Sequence, residues 1–205
     1  MMSRALAPAL LALLLGACAS APGIPETTWH RLPPPAEVQQ LPRAASLPIV
    51  VQRLQADGLH SDQALLYAID TAGHRLRAYH YNLWVEPPGY LLQRRLIGRL
   101  RAAGAADTVT DTLPVRSPAL WVSGQIHAFE RVPRAEGGYE GRVELRLRVE
   151  DRATGLPVLD REYQATVAVG EDSLPASVQA LSTALDQVIA EFLDDLGAHL
   201  AEPTA

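Results

Sequence analysis

Six histidines are the first candidates for acid–base or metal chemistry: His30, His60, His74, His80, His127 and His199. None sits in an H-E-x-x-H pair or beside carboxylates at metal-ligand spacing, so surface or sheet positions are expected and no metal centre. His80 and His127 both fall in strand-like runs and could approach one another. Hydroxyl nucleophiles are no better placed. No serine occupies a G-x-S-x-G elbow, and Ser123 lies mid-run in Trp121-Val122-Ser123-Gly124, without the sharp turn that exposes a nucleophile. All 18 basic residues are arginine, which removes lysine Schiff bases, lysine general bases and a phosphate-loop lysine. The stretch Gly137-Gly138-Tyr139-Glu140-Gly141 lacks the G-x-G-x-x-G spacing and reads as a hairpin loop, and Asp194-Asp195 reads as a solvated helix face. No catalytic set emerges, so a non-enzymatic protein is expected. A periplasmic hydrolase would require a cleft holding a perturbed histidine or carboxylate.

One residue does carry covalent chemistry. The single cysteine excludes an internal disulfide and any multi-cysteine metal site. It stands at position 18, in Leu15-Gly16-Ala17-Cys18, behind Arg4 and an apolar run from Ala5 to Leu15. That run is shorter than the roughly 20 apolar residues a membrane-spanning helix needs, and it has the form of a secretory signal. The four residues resemble the bacterial lipobox, in which small residues let the extended chain enter the signal peptidase and the thiol receives a diacylglyceryl group. On this reading residues 1–17 are a lipoprotein signal peptide, and the mature chain begins at an acylated Cys18. Diacylglyceryl and N-acyl (palmitate) chains there are the expected modification, and no other cofactor is expected. Each buried methylene contributes about 0.8 kcal/mol, so several chains make a lasting anchor. Ala19 follows, not aspartate, a pattern that resembles outer-membrane rather than inner-membrane sorting.

A second candidate feature is a surface. Arg94, Arg95, Arg99 and Arg101 crowd one stretch. They read either as a solvated helix face or as a patch for anionic lipid headgroups or an acidic partner, since the guanidinium fork suits both. Tyr79, Tyr81, Trp84 and Tyr90 lie just upstream. Trp84 would pin the start of a helix to a sheet, or these aromatics would together form an exposed interface patch.

The elements that must position these residues follow from length and patterning. The chain has 205 residues and a formal charge of −5, enough for one domain with a real core and too acidic for a general nucleic-acid binder. Residues 18–48 contain seven prolines among small and polar residues and read as an acylated tether, with a short strand at Thr27–Leu32. From residue 49 to 205 the pattern is that of one domain. Strands are predicted at Pro48–Leu54, at Leu65–Asp70 and Leu76–Trp84 around a Thr71–His74 turn, at Asp107–Thr112, and at Ala119–Arg131, Arg142–Asp151 and Val158–Val169. In Arg142–Asp151 the alternation of Val143, Leu145, Leu147 and Val149 with charged residues marks an antiparallel strand with one wet face. Helices are predicted at Gly89–Ala103, opened by Pro87-Pro88, and at Pro175–Leu200, capped by Asp172 or Ser173. The fold class is α+β: a mostly antiparallel sheet with two long helices packed on one face.

The order of these pieces resembles the ABC-type transport auxiliary lipoprotein family. The resemblance is carried by Ala64-Leu65-Leu66-Tyr67, Leu76–Tyr79, Trp84, Pro87-Pro88 and the Leu91–Leu100 helix. It continues through Gly141–Asp151, Gly155–Tyr163 and the alanine- and leucine-rich C-terminal helix. It spans roughly residues 27 to 197, with one departure: Trp29-His30-Arg31-Leu32 stands where members often carry a tyrosine-centred strand. It implies a lipid-anchored protein on the periplasmic face of the outer membrane. There it would serve an ABC transport system associated with lipid trafficking and membrane integrity. The implied partner is the periplasm-spanning MCE-domain protein of that system, with phospholipid and further copies of the chain as additional partners and no nucleic acid. The alternative of a different class is a pilot or assembly lipoprotein for a secretion or lipopolysaccharide-export pore.

Overall fold

The computed structural model describes residues 25–114 and 117–201. Its sheet is organised around two long hairpin-linked strands, β7 (Leu120–Pro133) and β8 (Tyr139–Asp151), with β9 (Pro157–Ala168) continuing antiparallel beyond β8. One edge of β7 is taken by β8 along its whole length. The other edge is shared end to end by three short strands, β2 (Ile49–Val51), β3 (Gln55–Ala56) and β4 (Ala64–Ala68). All three run parallel to β7, so the sheet is mixed rather than wholly antiparallel. A parallel neighbour needs a long crossover, and the route from β4 back to β7 contains a helix, α1 (Pro88–Ala102). Beyond β4 lie β5 (Leu76–Trp84), antiparallel to it, and β1 (Thr28–His30), parallel to β5. At the opposite end β6 (Val109–Thr110) extends β2.

Local chemistry explains the punctuation. The β4–β5 turn is organised by Asp70, whose carboxylate accepts the backbone N–H groups of His74 and Arg75 and pairs with the Arg75 side chain at 3.0 Å. The His74 N–H and the Arg75 guanidinium together hold Asp70 below its ordinary value. Gly73 supplies the positive φ of 77° at the tip. Helix α1 starts with proline at its first turn and stops before Gly104 at φ 64°. The C-terminal helix α2 (Leu174–Ala201) is capped by Ser173, whose Oγ accepts the Ala176 N–H at 3.2 Å.

Both helices cover one face of the curled sheet. The α2 stripe predicted from spacing is buried throughout, from Val178 and Leu181 to Phe192 and Leu196, against the alternate residues Val143, Leu145, Leu147 and Val149 of β8. Tyr163 of β9 meets Phe192 edge-on, with centroids 5.9 Å apart, and its hydroxyl donates to Asp195 at 2.8 Å. Burial, reinforced by that hydrogen bond, pushes the Tyr163 phenol well above its usual range. Asp195 also receives Arg161 at 2.7 Å, so it clasps α2 to β9 instead of standing on a solvated face.

The contact between α2 and β8 is close enough to require a glycine. A Cβ at Gly141 would lie 2.7 Å from the Leu181 nitrogen and 2.9 Å from the Ala180 carbonyl carbon. Gly141→Ala should therefore lift α2 from the sheet and destabilise the domain by about 1–3 kcal/mol, as overpacking does. A urea titration that gave the wild-type midpoint would contradict this.

The proline-rich segment departs from expectation. Read as a tether up to residue 48, it is laid onto the domain from Thr28 onward. After β1 pairs with β5, Leu32, Val38, Leu41 and Leu47 pack against the core, and the Leu41 and Ala45 N–H groups bond the carbonyls of Ala103 and Ala105. Proline keeps such a segment extended without helix or ladder. An extended chain with apolar residues between its prolines makes a strap across two helices.

Candidate functional site

The arginines of α1 divide between inside and outside. Arg94 is on the outer side and pairs with Glu86, and Arg101 donates from Nε to the Val109 carbonyl at 2.8 Å. Arg95 and Arg99 are 8% and 3% exposed, so the surface role considered for them is corrected. Four residues apart, they share a helix face that looks across to Asp186 of α2, at 3.5 Å and 4.0 Å. The same knot ties down the strap. Arg95 Nη2 donates to the Pro33 carbonyl and to Ser182 Oγ, Arg99 Nη1 donates to the Ala36 carbonyl, and the Ala36 N–H donates to Asp186 Oδ2 at 3.0 Å. Burial lowers the Arg95 pKa, Asp186 opposes that shift and Arg99 adds to it. Two buried cations thus share one carboxylate among the described residues.

The aromatic patch is also divided. Trp84 is 1% exposed and stacks on Phe129 with centroids 5.1 Å apart, which makes it the pin between sheet and helix rather than an interface residue. Tyr79 rests against Tyr67 at 4.5 Å, and its hydroxyl accepts from Arg131 at 3.2 Å. Five residues apart, Tyr79 and Trp84 would face opposite ways on a regular strand. A register irregularity in the β4–β5 pairing, between Ala64 and Leu66, lets both pack against the core. Tyr81 is 40% exposed, and Trp29 on β1, which spacing did not single out as a surface residue, is 52% exposed. Both stand at the edge of the sheet carrying the chain's N-terminal strand.

His80 and His127 do not meet, because β4 lies between their strands. Sequence reasoning missed a different pair. His60, in the short 3-10 turn Gly58–Ser61, places Nε2 2.9 Å from the shielded Glu130 carboxylate, which also accepts the Phe129 N–H. The partners are 70 residues apart, and no local signal joins them. Among the described residues no group of three or more histidine, cysteine, aspartate or glutamate side chains could hold a metal ion. Cys18 and the stretch that resembles a lipobox lie outside the described residues.

What remains accessible beside the arginine knot is a groove of 710 Å³ between the strap and α1, reached by Arg31, Arg94 and Arg95 and walled by Leu32, Val85 and Leu91. The described site is therefore a strapped two-helix surface with a cationic, partly apolar groove, suited to binding.

Residues 30–192 match the family described as the ABC-type transport auxiliary lipoprotein component. The chain belongs to that family. No curated protein sequence matches it. Among solved structures, the ABC-type transport auxiliary lipoprotein domain described above is similar to the protein XCC0632 from Xanthomonas campestris. The two are 16% identical with a TM-score of 0.69, over 81% of this chain and 92% of that one. The crystal structure of an uncharacterized protein gives 14% identity and a TM-score of 0.66, over 83% of this chain and 98% of that one. At such identities the likeness speaks for the fold. Family membership makes this a transport auxiliary component of lipoprotein type, and the match includes part of the strap, which therefore belongs to the domain.

Proposed function

We propose that the protein is a non-enzymatic subunit held by acyl chains on Cys18 at the periplasmic face of the outer membrane, where it docks the MCE-domain protein of an ABC-type lipid transport system. The family match over residues 30–192 carries this reading. The Leu15–Cys18 lipobox and Ala19 support the anchor and its destination. No helix among the described residues is long and apolar enough to cross a membrane, and an acylated cysteine supplies membrane attachment without one. With the strap bound from Thr28, the ten residues from Cys18 to Thr28 can hold the domain up to about 35 Å from the anchor when extended. That leaves the exposed Trp29 edge near the membrane and the rest of the surface turned to a periplasmic partner.

The full chain expressed in its own envelope tests both halves. Mass spectrometry should find acylated Cys18 at the mature N-terminus, and Cys18→Ala should lose the acyl label and outer-membrane fractionation. After gentle crosslinking, the MCE-domain protein should co-purify from detergent-solubilised membranes. An unmodified Cys18, or recovery of a secretin or export barrel in place of the MCE protein, would overturn the reading.

A further inference from the structure

The sheet has a notch at β3. Of the three short strands that share one edge of β7, β2 is flanked on its far side by β6 and β4 by β5. Among the described residues β3 pairs only with β7. A groove of 410 Å³ is lined there by β3, the Gly58–Ser61 turn and the first residues of α1. That volume lies within the roughly 300–1,000 Å³ of small-molecule sites. Backbone fixes its floor: the Leu54 N–H donates to the Gly89 carbonyl at 3.3 Å, and a Cβ at Gly89 would have no room against the Leu54 carbonyl.

The geometry points to a neutral saccharide as the occupant of this groove. Three of its side chains carry hydrogen-bonding groups that the protein already holds in place. Arg53 Nη1 donates to Tyr90 Oη at 3.2 Å, with the guanidinium 5.0 Å from the centroid of that ring. Asp57 Oδ2 accepts from Gln125 Nε2 at 3.0 Å. Ser61 Oγ donates to the Gly58 carbonyl at 2.7 Å, which leaves its lone pairs as acceptors. Groups held in this way lose little freedom when a ligand binds. Arg53 thus offers donors, and Asp57 and Ser61 offer acceptors, in one groove. An anion drawn to Arg53 would be repelled by Asp57, and a cation would meet the reverse. A sugar hydroxyl is donor and acceptor at once, so neighbouring hydroxyls satisfy both sides without adding charge. Pro87 and Tyr90, whose side chain is 44% exposed, supply apolar surface for the C–H faces of a sugar ring. A peptide fits less well, because β3 has two residues and is too short an edge to template an added strand. This site goes beyond the docking reading and depends on neither the acyl anchor nor an MCE partner, so its failure would leave that reading intact.

The full-length protein in a polyoxyethylene detergent, which carries no sugar, should transfer saturation in ligand-observed NMR to maltotriose or tri-N-acetylchitotriose. The signal should persist at high salt, because a neutral ligand forms no screened charge pair. Arg53→Ala and Asp57→Ala change exposed residues and should keep the wild-type melting temperature. Each should weaken saccharide binding about tenfold, as expected for one lost hydrogen bond to a charged group. No transfer to either trisaccharide, or unaltered binding by both folded variants, would overturn the assignment. So would a groove that takes inorganic phosphate or an oligoalanine peptide and neither sugar.

Discussion

Asp186→Ala is expected to destabilise the domain by about 3–5 kcal/mol, the range for stripping a buried charge cluster of its counter-charge. The loss is not that of one ion pair. Arg95 and Arg99 would lie side by side on one face of α1 with no carboxylate opposite them, and the Ala36 N–H would lose its acceptor at the same stroke. The strap is held by this knot together with the Pro33 and Ala36 carbonyls, so it should loosen before the sheet does. Trypsin cleaves after arginine, and Arg31 and Arg43 lie within the strap. Cleavage at Arg43 should therefore accelerate in the variant while cleavage within β7 and β8 stays slow. Asp186→Asn, which keeps shape and one acceptor, should fall between the two. Replacing all three charges by methionine and leucine should recover much of the loss, since well-packed apolar groups often match a buried ion cluster. A urea midpoint close to wild type with an unchanged tryptic pattern would mean that the knot contributes little.

Trp84→Ala should cost about 3–5 kcal/mol, the usual range for removing a large aromatic from a packed core. Trp84 is the last residue of β5, stacks on Phe129 of β7 and sits just ahead of the Pro87-Pro88 start of α1. Its removal thus opens a cavity where the β4–β5 hairpin, the long strand and the helix meet. The domain should also lose its blue-shifted tryptophan emission, because Trp29 is exposed and Trp121 only partly covered. Trp84→Phe keeps the stack and should cost much less. A surface anchor would behave in the opposite way, with stability unaffected and partner binding reduced, so a thermal melt distinguishes the two roles directly.

The contrast between Trp84 and Tyr81 shows where sequence reading stops. Alternation along a strand predicts facing only while the register is unbroken, and the irregularity between Ala64 and Leu66 turns Tyr79 and Trp84 to the same side. The arginines of α1 show the same limit in a helix. Spacing places Arg95 and Arg99 on one face, but only the packing of α2 brings Asp186, from far along the chain, against that face. His60 and Glu130 are a third case, joined by the pairing of β4 with β7 rather than by any motif.

The amino-acid sequence by itself determined the order and type of the main elements. The α1 start at Pro87-Pro88, an α2 cap at Asp172 or Ser173 and the strict alternation of β8 are short-range effects of proline geometry, side-chain capping and residue periodicity, and the structure places the cap on Ser173. The sequence also carried the family block that the match over residues 30–192 bears out, and ahead of it a Leu15–Cys18 stretch that resembles a lipobox. Tertiary structure alone decided that a proline-rich segment becomes a strap, that two of the clustered arginines turn inward, and that a groove opens between the strap and α1. Those outcomes depend on which distant surfaces meet. Burying a charge or laying an extended chain on a helix becomes favourable only when acceptors such as the Pro33 carbonyl, the Ala36 carbonyl and Asp186 converge from separate parts of the chain.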